Sequence, residues 1–200
     1  MKVGYSDHGG KDIMKTIEEL DVHIYKQIQG VFSTVDMQVL KEEIEKLQPG
    51  DVYVEIGVDE GRSARVAHEY ANPSVYKFYI DIHDVPPHSV SIGRGPWMEQ
   101  EGMVGIDKKG FFIHGDADLF GGLFHQQIFN NVKFVDLMFI DGHHDYESVK
   151  MNTQIWEPLM KPGSTILFHD YDHPDTKRWL DERYGDNKEV LHSKIVRVRK

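Results

Sequence analysis

The 200-residue sequence contains no cysteine. Disulfides and thiolate metal sites are thereby excluded, so any metal must be held by carboxylate, imidazole or water. No stretch reaches the ~18 consecutive apolar residues of a membrane-spanning helix. The polar start, Met1 to Lys11, lacks the apolar centre of a secretion signal. These absences lead to the expectation of a soluble, cytoplasmic protein. Basic side chains are in the minority, 23 against 33 acidic ones, for a formal charge of -10. That balance opposes broad attraction to nucleic acid or to an anionic membrane. Also missing are a Gly-Lys-Ser/Thr phosphate loop, a Gly-x-Ser-x-Gly elbow, a His-Glu-x-x-His helix and a Gly-x-Gly-x-x-Gly dinucleotide turn. No Asn/Asp-Pro-Pro-aromatic segment is present to hold a flipped base.

What is present begins with Val52-Tyr-Val-Glu-Ile-Gly-Val-Asp-Glu-Gly-Arg-Ser63. Val52, Tyr53, Val54 and Ile56 favour a strand, Gly57 and Gly61 bound a turn, and Ser63 to Tyr70 suits a helix. Such a junction places backbone amides and a helix N-terminus at the carboxyl edge of a sheet, where ligands bind. Glu55 beside that turn disfavours phosphate and favours an amine or a hydroxyl-rich cofactor.

Before this stretch, residues 1–11 read as a loose arm. Ile13, Ile17, Leu20, Ile24 and Ile28 recur at helical spacing from Asp12 to about Gly30. A second helix is predicted from Val35 to Gln48, capped by Ser33 or Thr34 and stopped by Pro49-Gly50. Residues 1–49 are therefore read as an N-terminal arm with two helices, and 50–200 as the cofactor-binding catalytic part of one domain.

After it, strands are predicted at 77–82, 111–114, 136–140 and 164–168. A helix is expected from about 117 through Phe129 and another from Tyr146 to Met160. The loop 83–109 is assigned as a substrate lid on its length and its Gly and Pro content. A last helix spans Asp175 to Tyr184, with one or two short strands between Glu189 and Arg199. Alternating strands and helices indicate an α/β, doubly wound, mostly parallel sheet with an N-terminal helical extension. Only 30 residues follow Asp170, so the C-terminal edge is expected to be abbreviated.

Four strand ends carry acids. Asp81 lies 24 positions after Gly57, where a βαβ unit presents a carboxylate to ribose hydroxyls, although a turn-capping role suits it too. Asp116 either accepts from an adenine amino group or caps the next helix. Asp141, His169 and Asp170 sit at adjacent tips and suit magnesium or manganese, although such carboxylates also cap helices and bind cofactor hydroxyls. His143 and His144 are candidate general bases.

Together, Val54 to Ser63 with Asp81 resemble the glycine-loop signature of class I S-adenosylmethionine-dependent methyltransferases. Phe139-Ile-Asp-Gly-His-His-Asp-Tyr-Glu-Ser-Val149, Trp156-Glu-Pro-Leu-Met-Lys-Pro-Gly-Ser164 and Phe168-His-Asp-Tyr171 are similar to the small-molecule branch with macrocin-type and aminocoumarin sugar O-methyltransferases. The resemblance covers about residues 50 to 172. It implies a Rossmann-like methyltransferase fold and methyl transfer to a small-molecule hydroxyl, assisted by Mg2+. It further implies that Glu55 and Gly57 face the methionine part of S-adenosylmethionine, that Gly61 and Ser63 shape the turn, and that Asp81 holds the ribose. Asp116 and Ala117 then flank the adenine. Asp141 doubles as a cofactor and metal residue, Asp170 matches a metal carboxylate, and His169 replaces an aspartate of the sugar enzymes. His144, with Asp141, is the implied catalytic residue. The implied partner is a small-molecule substrate, with no nucleic acid or membrane, and a homo-oligomer stays open. Two alternatives remain: a catalytically silent cofactor-binding module, and a nucleotide or nicotinamide enzyme on the same fold.

Overall fold

The structure is a computed structural model that describes residues 24, 28, 30–82, 110–123 and 134–200. The arm, most of the helix predicted from Asp12, the loop 83–109 and the helix predicted beyond residue 123 lie outside the described residues. Within them run α1 (Thr34–Ile44), β1 (Val52–Ile56), α2 (Arg62–Tyr70), β2 (Tyr76–Asp81), β3 (Gly110–His114) and α3 (Ala117–Leu123). These are followed by β4 (Val135–Ile140), α4 (Tyr146–Trp156), β5 (Met160–Phe168), α5 (Pro174–Tyr184), β6 (Lys188–Val190) and β7 (Val196–Arg199).

The strands form one sheet in the order β3-β2-β1-β4-β5-β7-β6. Strands β1 to β5 pair in parallel, while β7 runs antiparallel to both β5 and β6. The C-terminal edge is thus complete but short, with strands of three and four residues. The chain goes from β1 outward through β2 and β3, then returns to β4 on the other side of β1. Their carboxyl ends diverge there, which opens the crevice typical of such a switch point.

Strand side chains alternate between the two faces. Tyr53, Leu137, Phe139 and Leu167 join the core shared with Met37, Leu40 and Ile44 of α1 and Val66 of α2. Val54, Ile56, Met138, Ile140, Ile166 and Phe168 join the opposite core with Val149 and Trp156 of α4 and Trp179 of α5. Both faces are buried, which is why β1 and β4 read as nearly unbroken apolar runs.

Three boundaries differ from expectation by more than two residues, the first being the end of α1, at Ile44 rather than Gln48. The helix α4 ends at Trp156 rather than Met160, because Pro158 lies in the following 3-10 turn (Glu157–Leu159) and has no N–H to extend the α-helical ladder. Lys161-Pro162-Gly163 does not precede β5 but lies within it, at a register shift where Pro162 and Gly163 are exposed. No helix among the described residues is long and apolar enough to cross a membrane.

Candidate active site

The crevice is built by backbone contacts between strand tips. Gly57 N–H donates to Ile80 O at 2.9 Å, Asp141 N–H to Ile56 O at 2.8 Å, and His169 N–H to Ile140 O at 3.0 Å. Gly57 has φ +83°, and a Cβ there would collide with the Asp141 carbonyl group and Gly142 Cα. Only glycine fits this turn. A cavity of about 440 Å³ opens above it, bounded by the tips of β1, β2, β4 and β5 and by residues 30–32.

Most of the expected positions line this cavity: Gly57, Ser63, Asp81, Asp116, Ala117, Asp141, His143, His144 and Asp170. Glu55 and Gly61 do not. The Glu55 side chain follows the strand alternation, joins the face of Tyr53 and is fully buried. It accepts from Ser63 Oγ at 2.5 Å and from Tyr53 OH at 2.8 Å, so it braces the loop from behind rather than facing a ligand. Burial pushes its pKa up to about 8. Gly61 has φ +84° and is the N-cap of α2, so its role in turning the chain is conformational.

The raised Glu55 pKa has a consequence for stability. A carboxyl whose folded pKa exceeds its unfolded value contributes most below about pH 4.5, and that contribution is lost as pH rises toward 8. Chemical unfolding of the wild type across this window therefore carries a falling component of up to about 1.4 kcal/mol per pH unit. Glu55→Gln removes that component. An identical pH dependence in both proteins would contradict the assignment.

Asp81 Oδ2 accepts from the Val58 and Asp59 N–H groups, both at 2.8 Å. The carboxylate therefore ties β2 to the glycine turn while facing the cavity. Asp116 Oδ1 accepts from Asp118 N–H at 2.8 Å and Leu119 N–H at 3.1 Å, which is the capping alternative, and its residue also lines the cavity. Nearby, Asn152 Nδ2 donates to Asp118 Oδ1 at 2.5 Å, and Trp156 Nε1 donates to Ala117 O at 2.9 Å. These two bonds fix the wall made by α3 against α4.

At the other end, one ligand atom each from Asp141, His144 and Asp170 lie within 4.8 Å of one another. His144 Nδ1 is 3.3 Å from Asp170 Oδ2. Asp170 has φ +52°, a strained conformation for a non-glycine residue, and such strain concentrates at functional positions. Burial pushes the Asp141 carboxyl up, whereas His169 beside Asp170 outweighs burial and holds that carboxyl down.

His169 does not belong to this trio, contrary to the expected ligand set. Its ring is buried, with Nδ1 3.0 Å from both Asp141 Oδ1 and Asp170 Oδ2 and Nε2 3.5 Å from Asp36 Oδ2. Neither nitrogen has an aligned hydrogen-bond acceptor, and each contact is an ion pair only with a protonated ring. Burial alone would lower its pKa, but the three carboxylates push it up to about 12. His144 takes the imidazole place instead.

Sequence reasoning also missed residues 30–32, Asp36, Asp59, Asp118 and Asn152. Residues 30–32 reach the cavity because the Arg62 guanidinium donates to Ile28 O and to Phe32 O, the latter at 2.7 Å. Six carboxylates, from Asp59, Asp81, Asp116, Asp118, Asp141 and Asp170, line the cavity among the described residues, against one guanidinium, Arg62.

Residues 54–171, more than half of the chain, match the sequence profile of a family described as a methyltransferase domain. The chain belongs to that family of methyltransferase domains. Among solved structures it is similar to CalS11, a TDP-rhamnose 3'-O-methyltransferase of calicheamicin biosynthesis. The TM-score is 0.62 at 16% identity, over 94% of this chain and 88% of that one. An O-methyltransferase from Bacillus cereus in complex with SAH gives a TM-score of 0.62 at 15% identity, over 92% and 90%. TrmN from Thermus thermophilus gives 0.54 at 15%, over 82% and 47%. At these identities the likeness is one of fold. Among curated proteins, a 36-residue segment is 47% identical to the uncharacterized protein y4gI of Sinorhizobium fredii (strain NBRC 101917 / NGR234). That segment is 18% of this chain and 4% of the length of y4gI.

Proposed function

We propose that this methyltransferase transfers the methyl group of S-adenosylmethionine to a hydroxyl of a small molecule, with a divalent cation held by Asp141, His144 and Asp170. The observation that carries this reading is the continuous crevice. A glycine floor and a carboxylate-rich wall stand at one end, and an oxygen-nitrogen-oxygen ligand set at the other. The donor is a sulfonium bearing an amine, a ribose and an adenine, and carboxylates suit all of these groups. In this reading Asp81 takes the ribose, Asp116 the adenine and Gly57 the methionine part, supported by their positions on the cavity wall.

Two carboxylates and one imidazole suit a hard or borderline cation such as Mg2+ or Mn2+. Such an ion, when bound, supplies a Lewis acid that makes a hydroxyl easier to deprotonate. The remaining work belongs to the chain. Methyl transfer is an in-line displacement, so the walls act mainly by aligning donor and acceptor. When no ion is bound, Asp170 facing Nδ1 of His144 favours the tautomer whose Nε2 accepts a proton from the acceptor hydroxyl. That CalS11 is a TDP-rhamnose 3'-O-methyltransferase and the Bacillus cereus protein an O-methyltransferase supports the choice of a hydroxyl acceptor.

Labelled S-adenosylmethionine incubated with a panel of sugars, phenols and other hydroxyl compounds, with Mg2+ or with chelator, tests the reading. Methyl transfer to oxygen that is lost on chelation is expected. Transfer unaffected by chelation assigns His144 to proton removal instead, and transfer only to nitrogen or carbon acceptors contradicts the proposal. Asp81→Ala is expected to weaken S-adenosylhomocysteine binding by at least tenfold, because in this reading the ribose hydroxyls lose a charged acceptor, a hydrogen bond worth about 1.5–3 kcal/mol. Unchanged affinity by calorimetry would remove Asp81 from the cofactor site.

A further inference from the structure

Asp36 lies outside the family-matched residues 54–171, yet its carboxylate is 0% exposed. A carboxylate is rarely buried so completely unless it is paired. Part of the explanation is local. Asp36 occupies the third position of α1, and its Oδ2 accepts from Ser33 N–H at 3.0 Å and Ser33 Oγ at 2.5 Å, while Ser33 Oγ accepts from Asp36 N–H at 3.2 Å. This capping box needs no burial, because caps serve equally well in water.

The rest of its environment is two imidazoles, neither of which lines the cavity. Oδ2 is 3.5 Å from His169 Nε2, and Oδ1 is 3.2 Å from Nδ1 of the half-exposed His192. The far nitrogen of His169 stands 3.0 Å from an oxygen of Asp141 and 3.0 Å from an oxygen of Asp170. Phe32 and Phe139 pack against the ring, with centroids at 5.2 and 6.2 Å. The ring touches the two ligand carboxylates and Asp36 but stays buried below them.

We propose that Asp36 is a positioning residue for the ion site: it holds His169 by Nε2, and His169 in turn aligns the carboxylates of Asp141 and Asp170. The inference rests on the ion-site reading above. Asp36 touches neither the ion nor the acceptor. The N-terminal helix is in this way wired to the chemistry, as an outer-shell carboxylate orients a metal ligand elsewhere.

The test is titration of Mn2+ alone into the full chain, followed by paramagnetic resonance of the free ion, with S-adenosylhomocysteine binding measured in parallel. Asp36→Asn is expected to weaken Mn2+ by about tenfold or more while leaving S-adenosylhomocysteine affinity unchanged. Ser33→Ala loses the cap but keeps the charge, and is expected to bind Mn2+ like the wild type. Equal Mn2+ affinity in Asp36→Asn and wild type overturns the proposal, and so does a loss in Ser33→Ala as large as that in Asp36→Asn. If Asp36→Asn loses its fold, Asp36→Glu is read in its place, with the same selective loss expected and unaltered Mn2+ affinity overturning the proposal. A wild type that binds no Mn2+ removes the ion site itself and the inference with it, an outcome distinct from the others.

Discussion

Gly57→Ala is expected to abolish S-adenosylhomocysteine binding and to destabilise the fold by about 2–5 kcal/mol, from left-handed strain of ~1–2 kcal/mol and overpacking of ~1–3 kcal/mol. The added methyl meets the Asp141 carbonyl group and Gly142 Cα, which are backbone atoms with no rotamer to escape into. Neither tip can retreat. The Gly57 amide is bonded to Ile80 of β2 and the Asp141 amide to Ile56 of β1, so moving one strand end breaks the parallel ladder beside it. Gly163 provides the control, since its φ is also +83° but no atom lies within 4 Å of a Cβ there. Gly163→Ala therefore carries the conformational cost alone. Calorimetry with S-adenosylhomocysteine and chemical unfolding measure both effects, and a Gly57→Ala protein with wild-type affinity would contradict the placement of the cofactor over this turn.

The second large effect is expected at Asp170. Asp170→Asn lowers turnover by about 10²–10⁴-fold, the range associated with loss of proton-transfer assistance, and leaves the fold intact. Asparagine tolerates the left-handed backbone at φ +52° nearly as well as aspartate, so the substitution isolates the charge. What is lost is one of three ligand-type groups, and with it the orientation of the His144 ring. Steady-state methyl transfer, compared with S-adenosylhomocysteine affinity, separates chemistry from binding. Turnover within a few-fold of wild type would remove Asp170 from the reaction.

The fold and the list of strand tips were legible for a physical reason. A parallel strand buried on both faces leaves a nearly unbroken apolar run, and whatever follows that run must stand at the carboxyl edge. Val52–Ile56 and Val135–Ile140 carry this signature, and the acids after β2, β4 and β5 accordingly meet in one crevice. Orientation was less legible, though the signal existed. Strand alternation continues past the end of β5, so His169 shares the face of Leu167 and turns toward α1, away from the cavity. The same rule puts Glu55 with Tyr53, behind the loop. Asp36 could be read only as a helix cap, because its meeting with His169 joins residues 133 positions apart and depends on how α1 docks. Asn152 likewise reads as one polar residue on α4 until α3 is packed beside it.

The most direct test of the account is a crystal of the full chain grown with S-adenosylhomocysteine and Mn2+, with anomalous data collected to locate the ion. The account predicts the ligand over Gly57 with its ribose at Asp81, and a single strong anomalous peak among Asp141, His144 and Asp170, with His169 beneath it and not coordinated. Ligand bound elsewhere, or an ion coordinated by His169, would contradict it.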